Sequence, residues 1–134
     1  MPELSPTDRT ALVEYRLAKA RLTLKEAEDN LKLGNWNLAV NRLYYSVFYA
    51  VLALNLKNGE ITKTHSGAFT VFSKRYILSG IIDREEANLY RMLMTMRQTG
   101  DYDDFFDWER DDVEPLFPKV ENFLKKLIRM VGED

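Results

Sequence analysis

Two stretches carry the side chains most capable of chemistry: Arg97-Gln98-Thr99-Gly100-Asp101-Tyr102 and Asn41-Arg42-Leu43-Tyr44-Tyr45. Arg97 follows Leu93 by one helical turn and Tyr90 by two, which puts it at the border of an apolar stripe instead of on a solvent face. A guanidinium there needs an anion. Asp101, four residues on, offers a bidentate salt bridge that would tie the helix end to the following turn, and a phosphate of RNA or of a nucleotide suits the same planar fork. Spacing alone favours the salt bridge. Asn41, Arg42 and Tyr45 are polar groups on an otherwise apolar helix, and with Asp101 and Tyr102 they can close a network that is scaffold and site together.

His65 is the only imidazole in the chain and follows Lys63 at the entrance to another helix. Its ordinary role is a ring bonded to a nearby backbone group or tyrosine hydroxyl; the competing role is proton transfer beside Arg97. Arg97, Asp101 and Tyr102 are the candidate catalytic residues, and Arg97, Arg42, Asn41, Tyr45, Lys63 and His65 the candidate contacts to RNA or a nucleotide. With one histidine and no cysteine, only carboxylates remain as plural metal ligands, so neither a metal nor another cofactor is expected. Asp101, Asp103, Asp104 and Asp107 loosely suggest a calcium loop, but Phe105 and Phe106 stand where that loop needs a glycine turn and an oxygen ligand. No glycine-rich phosphate cradle and no recognised nucleophile motif points to conventional hydrolase chemistry.

The elements that must position these groups read as helices throughout. Val13, Leu17, Ala20, Leu24, Ala27 and Leu31 step by four and three, with Arg16, Lys19, Thr23, Glu26 and Asn30 on another face, which predicts an amphipathic helix over 7–33 entered at Ser5-Pro6 and closed at Gly34. A second helix over 36–56 contains Leu43 to Leu56, a run without a charged side chain; it is too short to cross a bilayer and fits the centre of a bundle. Its tyrosine and phenylalanine stripe at 44, 45, 48 and 49 is expected in the core. A third helix starts after Thr64 or Ser66, turns Ala68, Phe69, Phe72 and Tyr76 inward and stops at Ser79-Gly80. Asp83-Arg84-Glu85-Glu86 reads as a capping box that opens a fourth helix with Leu89, Leu93 and Met96 inward, ending near Gln98 before Gly100. Pro115 and Pro118 place the start of the last helix between Leu116 and Lys119, with Phe117, Val120, Leu124, Leu127 and Val131 as its stripe.

The 134 residues, 46% of them hydrophobic, suit one domain with one core. A formal net charge of −2 gives no overall attraction for nucleic acid or anionic lipid, so any RNA contact has to be local. The absence of cysteine and of an N-terminal apolar segment predicts a cytoplasmic protein away from the membrane.

Asn41-Arg42-Leu43-Tyr44-Tyr45-Ser46-Val47-Phe48-Tyr49-Ala50, then His65-Ser66-Gly67 with Phe72, then Arg97-Gln98-Thr99-Gly100-Asp101-Tyr102, resemble the HEPN superfamily over about residues 8–130. The closest resemblance is to its branch with an Asn-Arg-Tyr-Tyr helix and a late Arg-x-x-x-Asp-Tyr motif. The resemblance implies an all-α, up-and-down bundle of four main helices plus a short extra helix. It also implies a homodimer in a bacterial or archaeal cytoplasm, often beside a minimal nucleotidyltransferase, and an RNA- or nucleotide-associated role that in some members is toxin–antitoxin. Many HEPN proteins are metal-independent endoribonucleases that use an Arg-x4-6-His motif from both protomers. In this chain the positions open to that histidine are Tyr102, Asp103 and Asp104. Arg97 thus carries over as a phosphate contact while catalysis does not, because a tyrosine of pKa near ~10 is a poor general base. An RNA- or nucleotide-associated module is the first reading, a metal-independent endoribonuclease toxin in which Arg97 is helped by Tyr102 or His65 the second, and a non-catalytic dimerisation domain with mutually satisfied polar groups the third.

Overall fold

A computed structural model of the chain describes residues 4–103 and 105–132. The described residues form six α-helices: α1 (Pro6–Leu33), α2 (Trp36–Lys57), α3 (His65–Phe72), α4 (Arg84–Tyr102), α5 (Arg110–Val113) and α6 (Leu116–Val131). The long α1, α2, α4 and α6 are the expected bundle, and α3 is the extra short helix. No helix among the described residues is long and apolar enough to cross a membrane.

Helix ends follow local chemistry. Ser5 Oγ accepts from the Asp8 amide at 3.0 Å with Pro6 at the first turn, and Gly34 closes α1 at φ 75°, a conformation that costs a residue with a Cβ. Thr64 caps α3 by accepting from the Gly67 amide, which settles the choice between Thr64 and Ser66. Asp83 and Glu86 exchange the two bonds of a capping box at 2.8 and 3.0 Å.

α2 is the axis of the molecule and packs against α1, α3, α4, α5 and α6. Its uncharged run is why: Leu43, Val47, Ala50, Val51, Leu54 and Leu56 are buried around its circumference, as only an enclosed helix requires. Val13, Leu17, Leu93, Val120 and Leu127 complete the core from α1, α4 and α6.

Four expectations need correction. Thr23, placed on the polar face of α1, is 2% exposed and returns its hydroxyl to the Lys19 carbonyl at 2.6 Å, so it enters the core without an orphaned group. α3 does not run regularly to Ser79; it widens into a π turn over Ser73–Ile77. Gly100 does not interrupt α4, which continues to Tyr102. A Cβ at Gly100 would lie 3.2 Å from Trp108 Nε1, whose N–H donates to the Met96 carbonyl, so this glycine admits an indole against the helix and does not break it. The stripe of α6 also includes the buried Phe123, while Phe117 is only half-buried.

Candidate functional site

The last two turns of α4, the first half of α2 and the first residue of α3 meet at one polar cluster. Arg97 is 7% exposed, and its guanidinium carbon lies 5.1 Å from the centre of the Tyr44 ring, 5.7 Å from Tyr45 and 5.9 Å from Tyr102. Those ring faces carry partial negative charge, which offsets part of the cost of burying the cation. The expected bidentate salt bridge is absent. One Arg97 nitrogen approaches Asp101 Oδ2 at 3.7 Å, beyond hydrogen-bond length, and the buried Arg97 Nε has no partner among the described residues.

Asp101 is instead held by Asn41, whose Nδ2 donates to Oδ2 at 2.9 Å. Arg42 closes the other side: its Nε and one terminal nitrogen donate to Asn41 Oδ1 at 2.9 and 2.6 Å, and the other terminal nitrogen donates to Glu26 Oε1 of α1 at 3.2 Å. Asn41 is therefore the hinge pin between two arginines, giving its carbonyl to one and sharing an acid with the other. Tyr45 joins through its ring, 5.4 Å from the Arg42 guanidinium carbon. Tyr102 is 75% exposed and covers Arg97 from outside.

His65 enters from the opposite side. Its Nδ1 lies 2.6 Å from the Tyr44 hydroxyl, and its ring packs 4.4 Å from Phe48 and edge-on 5.7 Å from Tyr45. Tyr44 and Tyr45 each touch both His65 and Arg97, so the single histidine and the candidate arginine share one aromatic wall. Burial first and the Arg97 charge second lower the His65 pKa from 6.5, which keeps the ring neutral at pH 7. Burial pushes the Tyr44 hydroxyl well above its ordinary value, against the smaller pull of Arg97, so it stays protonated and available to donate.

Chemically, this arrangement offers an anion one buried, under-satisfied guanidinium and one neutral imidazole on the same wall. Lys63 is exposed in the loop before α3 and makes none of these contacts. The acids that suggested a calcium loop have local duties: Asp101 bonds Asn41, Asp103 accepts from the Phe105 amide at 3.0 Å, and Asp107 accepts from Asn37 at 3.3 Å. Asp104 lies outside the described residues. Two surface grooves, one between α4 and α6 at Leu89 and Phe123, the other between α1 and α6 at Val13 and Val131, are lined by none of the cluster.

A sequence model described as the HEPN domain matches residues 13–131, nearly the whole chain. The chain belongs to the HEPN family. A UPF0332 protein of Thermotoga maritima is 32% identical over 126 residues, covering 94% of this chain and 96% of the relative. A Methanocaldococcus jannaschii protein whose name marks it as a candidate toxin is 33% identical over 114 residues, covering 85% and 78%. A UPF0332 protein of Archaeoglobus fulgidus is 24% identical over 122 residues, covering 91% and 97%.

Within the HEPN frame, the cluster gathers Arg97, Asp101, Tyr102, Asn41, Arg42, Tyr45 and His65, and leaves out Lys63. Three contributors escaped the sequence reading. Tyr44, read only as core, is the bridge between His65 and Arg97. Glu26, read as a solvent-face residue, anchors Arg42. Asn37 holds the segment after α4 in place: its Oδ1 accepts from the Trp108 amide at 2.7 Å and its Nδ2 donates to the Phe106 carbonyl at 3.2 Å. Only the Glu26 position within the four-and-three repeat of α1 gave a usable sequence signal.

Proposed function

We propose that this HEPN protein is an RNA- or nucleotide-associated module in which Arg97 receives a phosphate, acting as a homodimer beside a minimal nucleotidyltransferase in a bacterial or archaeal cytoplasm, in a toxin–antitoxin-type system. The observation that carries the reading is the guanidinium of Arg97: buried among three tyrosine rings, 3.7 Å from its nearest acid, with Nε unpartnered. A structural arginine would have its fork filled, whereas a phosphate oxygen supplies what this one lacks. The name of the M. jannaschii relative supports the toxin setting, and the bacterial and archaeal relatives support the cellular one. Exposed Leu33 and Leu38 at the α1–α2 turn support a second copy as partner.

The enzyme reading is favoured by one observation, the neutral His65 beside Arg97 across Tyr44. In that reaction Nδ1–H of His65 donates to the Tyr44 hydroxyl oxygen, and the free Nε2 takes the proton of an RNA 2′-hydroxyl as its oxygen bonds to the adjacent phosphorus. Arg97 holds the phosphate charge, and the 5′-oxygen leaves with a proton from water, giving a 2′,3′-cyclic phosphate.

Incubation with mixed RNA, with and without EDTA, tests both readings, with Arg97→Ala and Tyr102→Phe variants checked for folding. RNA retained by the wild type and lost by Arg97→Ala supports the module, and cleavage that survives EDTA but not Arg97→Ala establishes the nuclease. A wild-type dimer that neither binds nor cleaves RNA or nucleotides leaves the dimerisation domain.

A further inference from the structure

Arg97 stands at one end of a longer row. From the exposed Tyr102 the contacts pass to Arg97 at 5.9 Å, to Tyr45 at 5.7 Å and to Tyr49 at 5.7 Å. They go on through Lys19 of α1, whose Nζ lies 5.3 Å from the Tyr49 ring and 5.8 Å from Tyr15. Arg42 joins from the side, 5.4 Å from Tyr45. Arg16, three residues before Lys19 on the same side of α1, is half-buried and makes no hydrogen bond or ion pair among the described residues.

The row mixes rings and cations, with Tyr45 and Tyr49 in direct contact at its centre. Tyr15 and Tyr102 at its ends are 61% and 75% exposed, and Tyr45 and Tyr49 between them are half-buried, so each presents part of a ring to solvent. Of the cations on the row, Arg42 pairs with Glu26 and Arg97 approaches Asp101, while Arg16 and Lys19 make no ion pair among the described residues. Aromatic rings and cations along one groove are the two kinds of group that hold an unstacked single strand, by stacking on its bases and by neutralising its phosphates. A duplex buries its base faces in its own stack and cannot use the tyrosines.

We propose that the face shared by α1 and α2 is a track for single-stranded RNA that leads to Arg97, with Tyr15, Tyr49, Tyr45 and Tyr102 stacking on bases and Arg16, Lys19 and Arg97 holding phosphates, while Arg42, its fork filled by Asn41 and Glu26, backs the Tyr45 ring. The track rests on the RNA reading of Arg97 and adds a direction, a preference for single strands and a contribution from α1. Stacking is indifferent to base identity, so the track is sequence-tolerant.

The test is fluorescence anisotropy with labelled oligouridylates from ~2 to ~12 nucleotides, together with a hairpin duplex competitor. The proteins are the wild type, Arg97→Ala and a Tyr15→Ala/Lys19→Ala double variant, whose fold is checked by thermal melting. Wild-type affinity rises with length, and the hairpin competes at least about tenfold less well than a single strand. The double variant binds the shortest oligomer like the wild type, loses about tenfold or more on the longest, and shows a salt slope shallower by about 0.7 for the lost lysine contact. Arg97-dependent binding that ignores length, or a double variant equal to the wild type on long RNA, overturns the track and leaves the Arg97 reading intact. Failure to bind RNA of any length overturns both. A double variant that self-associates more weakly yet binds RNA normally assigns this face to a second copy and overturns the track.

Discussion

The Tyr44 hydroxyl meets Nδ1 of His65 at 2.6 Å, fastening the start of α3 to α2 across 21 positions of sequence. His65 shares the Tyr44 ring with Arg97, so the bond that docks α3 also fixes the imidazole relative to the guanidinium. A second connection, Asn55 Nδ2 to the Ala68 carbonyl at 3.2 Å, holds the same helix one turn later.

That docking is pH-sensitive. The folded chain resists protonating His65, whose pKa is lowered from 6.5 by burial and by Arg97. The unfolded chain takes up the proton first as pH falls below 6.5, so the stability present above that value is lost progressively down to the folded pKa. Melting temperatures measured from about pH 7.5 to about pH 5 should fall more steeply for the wild type than for His65→Gln. Parallel curves would mean that another group sets the slope.

Arg97→Met separates site from scaffold. Breaking a well-formed buried salt bridge costs ~3–5 kcal/mol, but the Arg97–Asp101 contact is long and the Arg97 Nε unpaired. Methionine of similar volume should leave the melting temperature unchanged or raised, while RNA binding drops by ~10-fold or more through loss of a charged phosphate contact. A large drop in melting temperature with RNA binding retained would restore the salt-bridge role.

Tyr90→Phe should stabilise the protein. The Tyr90 ring packs between Phe69 and Phe72, but its buried hydroxyl has no partner among the described residues. Removing an orphaned buried hydroxyl recovers part of its desolvation cost, ~1 kcal/mol. Denaturant unfolding at equal m-value gives the comparison. A loss of stability would mean that the hydroxyl has a partner, such as an ordered water.

Asn37→Ala should free the segment between α4 and α5. The side chain accepts from Trp108 and donates to Phe106 and Asp107, so truncation costs ~1–3 kcal/mol and exposes the backbone of residues 105–108. Faster amide exchange there, with α2 unchanged, is the expected result; uniform loss of protection would show that Asn37 supports the whole bundle.

The parts of this fold legible in sequence are those whose cause is local. The Asp83 box needs only four residues, and the buried character of α2 needs only a charge-free run. Gly100 sits inside α4 because of Trp108, a partner beyond the helix, and propensity cannot see a partner. The same holds at the site. Arg97 could be placed at a stripe border from spacing, but whether acid or aromatic surrounds it depends on how α2 crosses α4. His65 could be expected to meet a tyrosine, but which tyrosine, and that Arg97 shares it, follows only from the docking of α3.

The contact of α2 with every other helix also divides the site by mobility. Asn41, Arg42, Tyr44 and Tyr45 sit within the helix that packs against all the others, so their amides should be among the slowest to exchange. Their counterparts stand at element ends: Arg97, Asp101 and Tyr102 in the last turns of α4, His65 at the first residue of α3. One half of the site is therefore built into the most enclosed helix, and the other half is carried by the ends of α3 and α4 that dock on it.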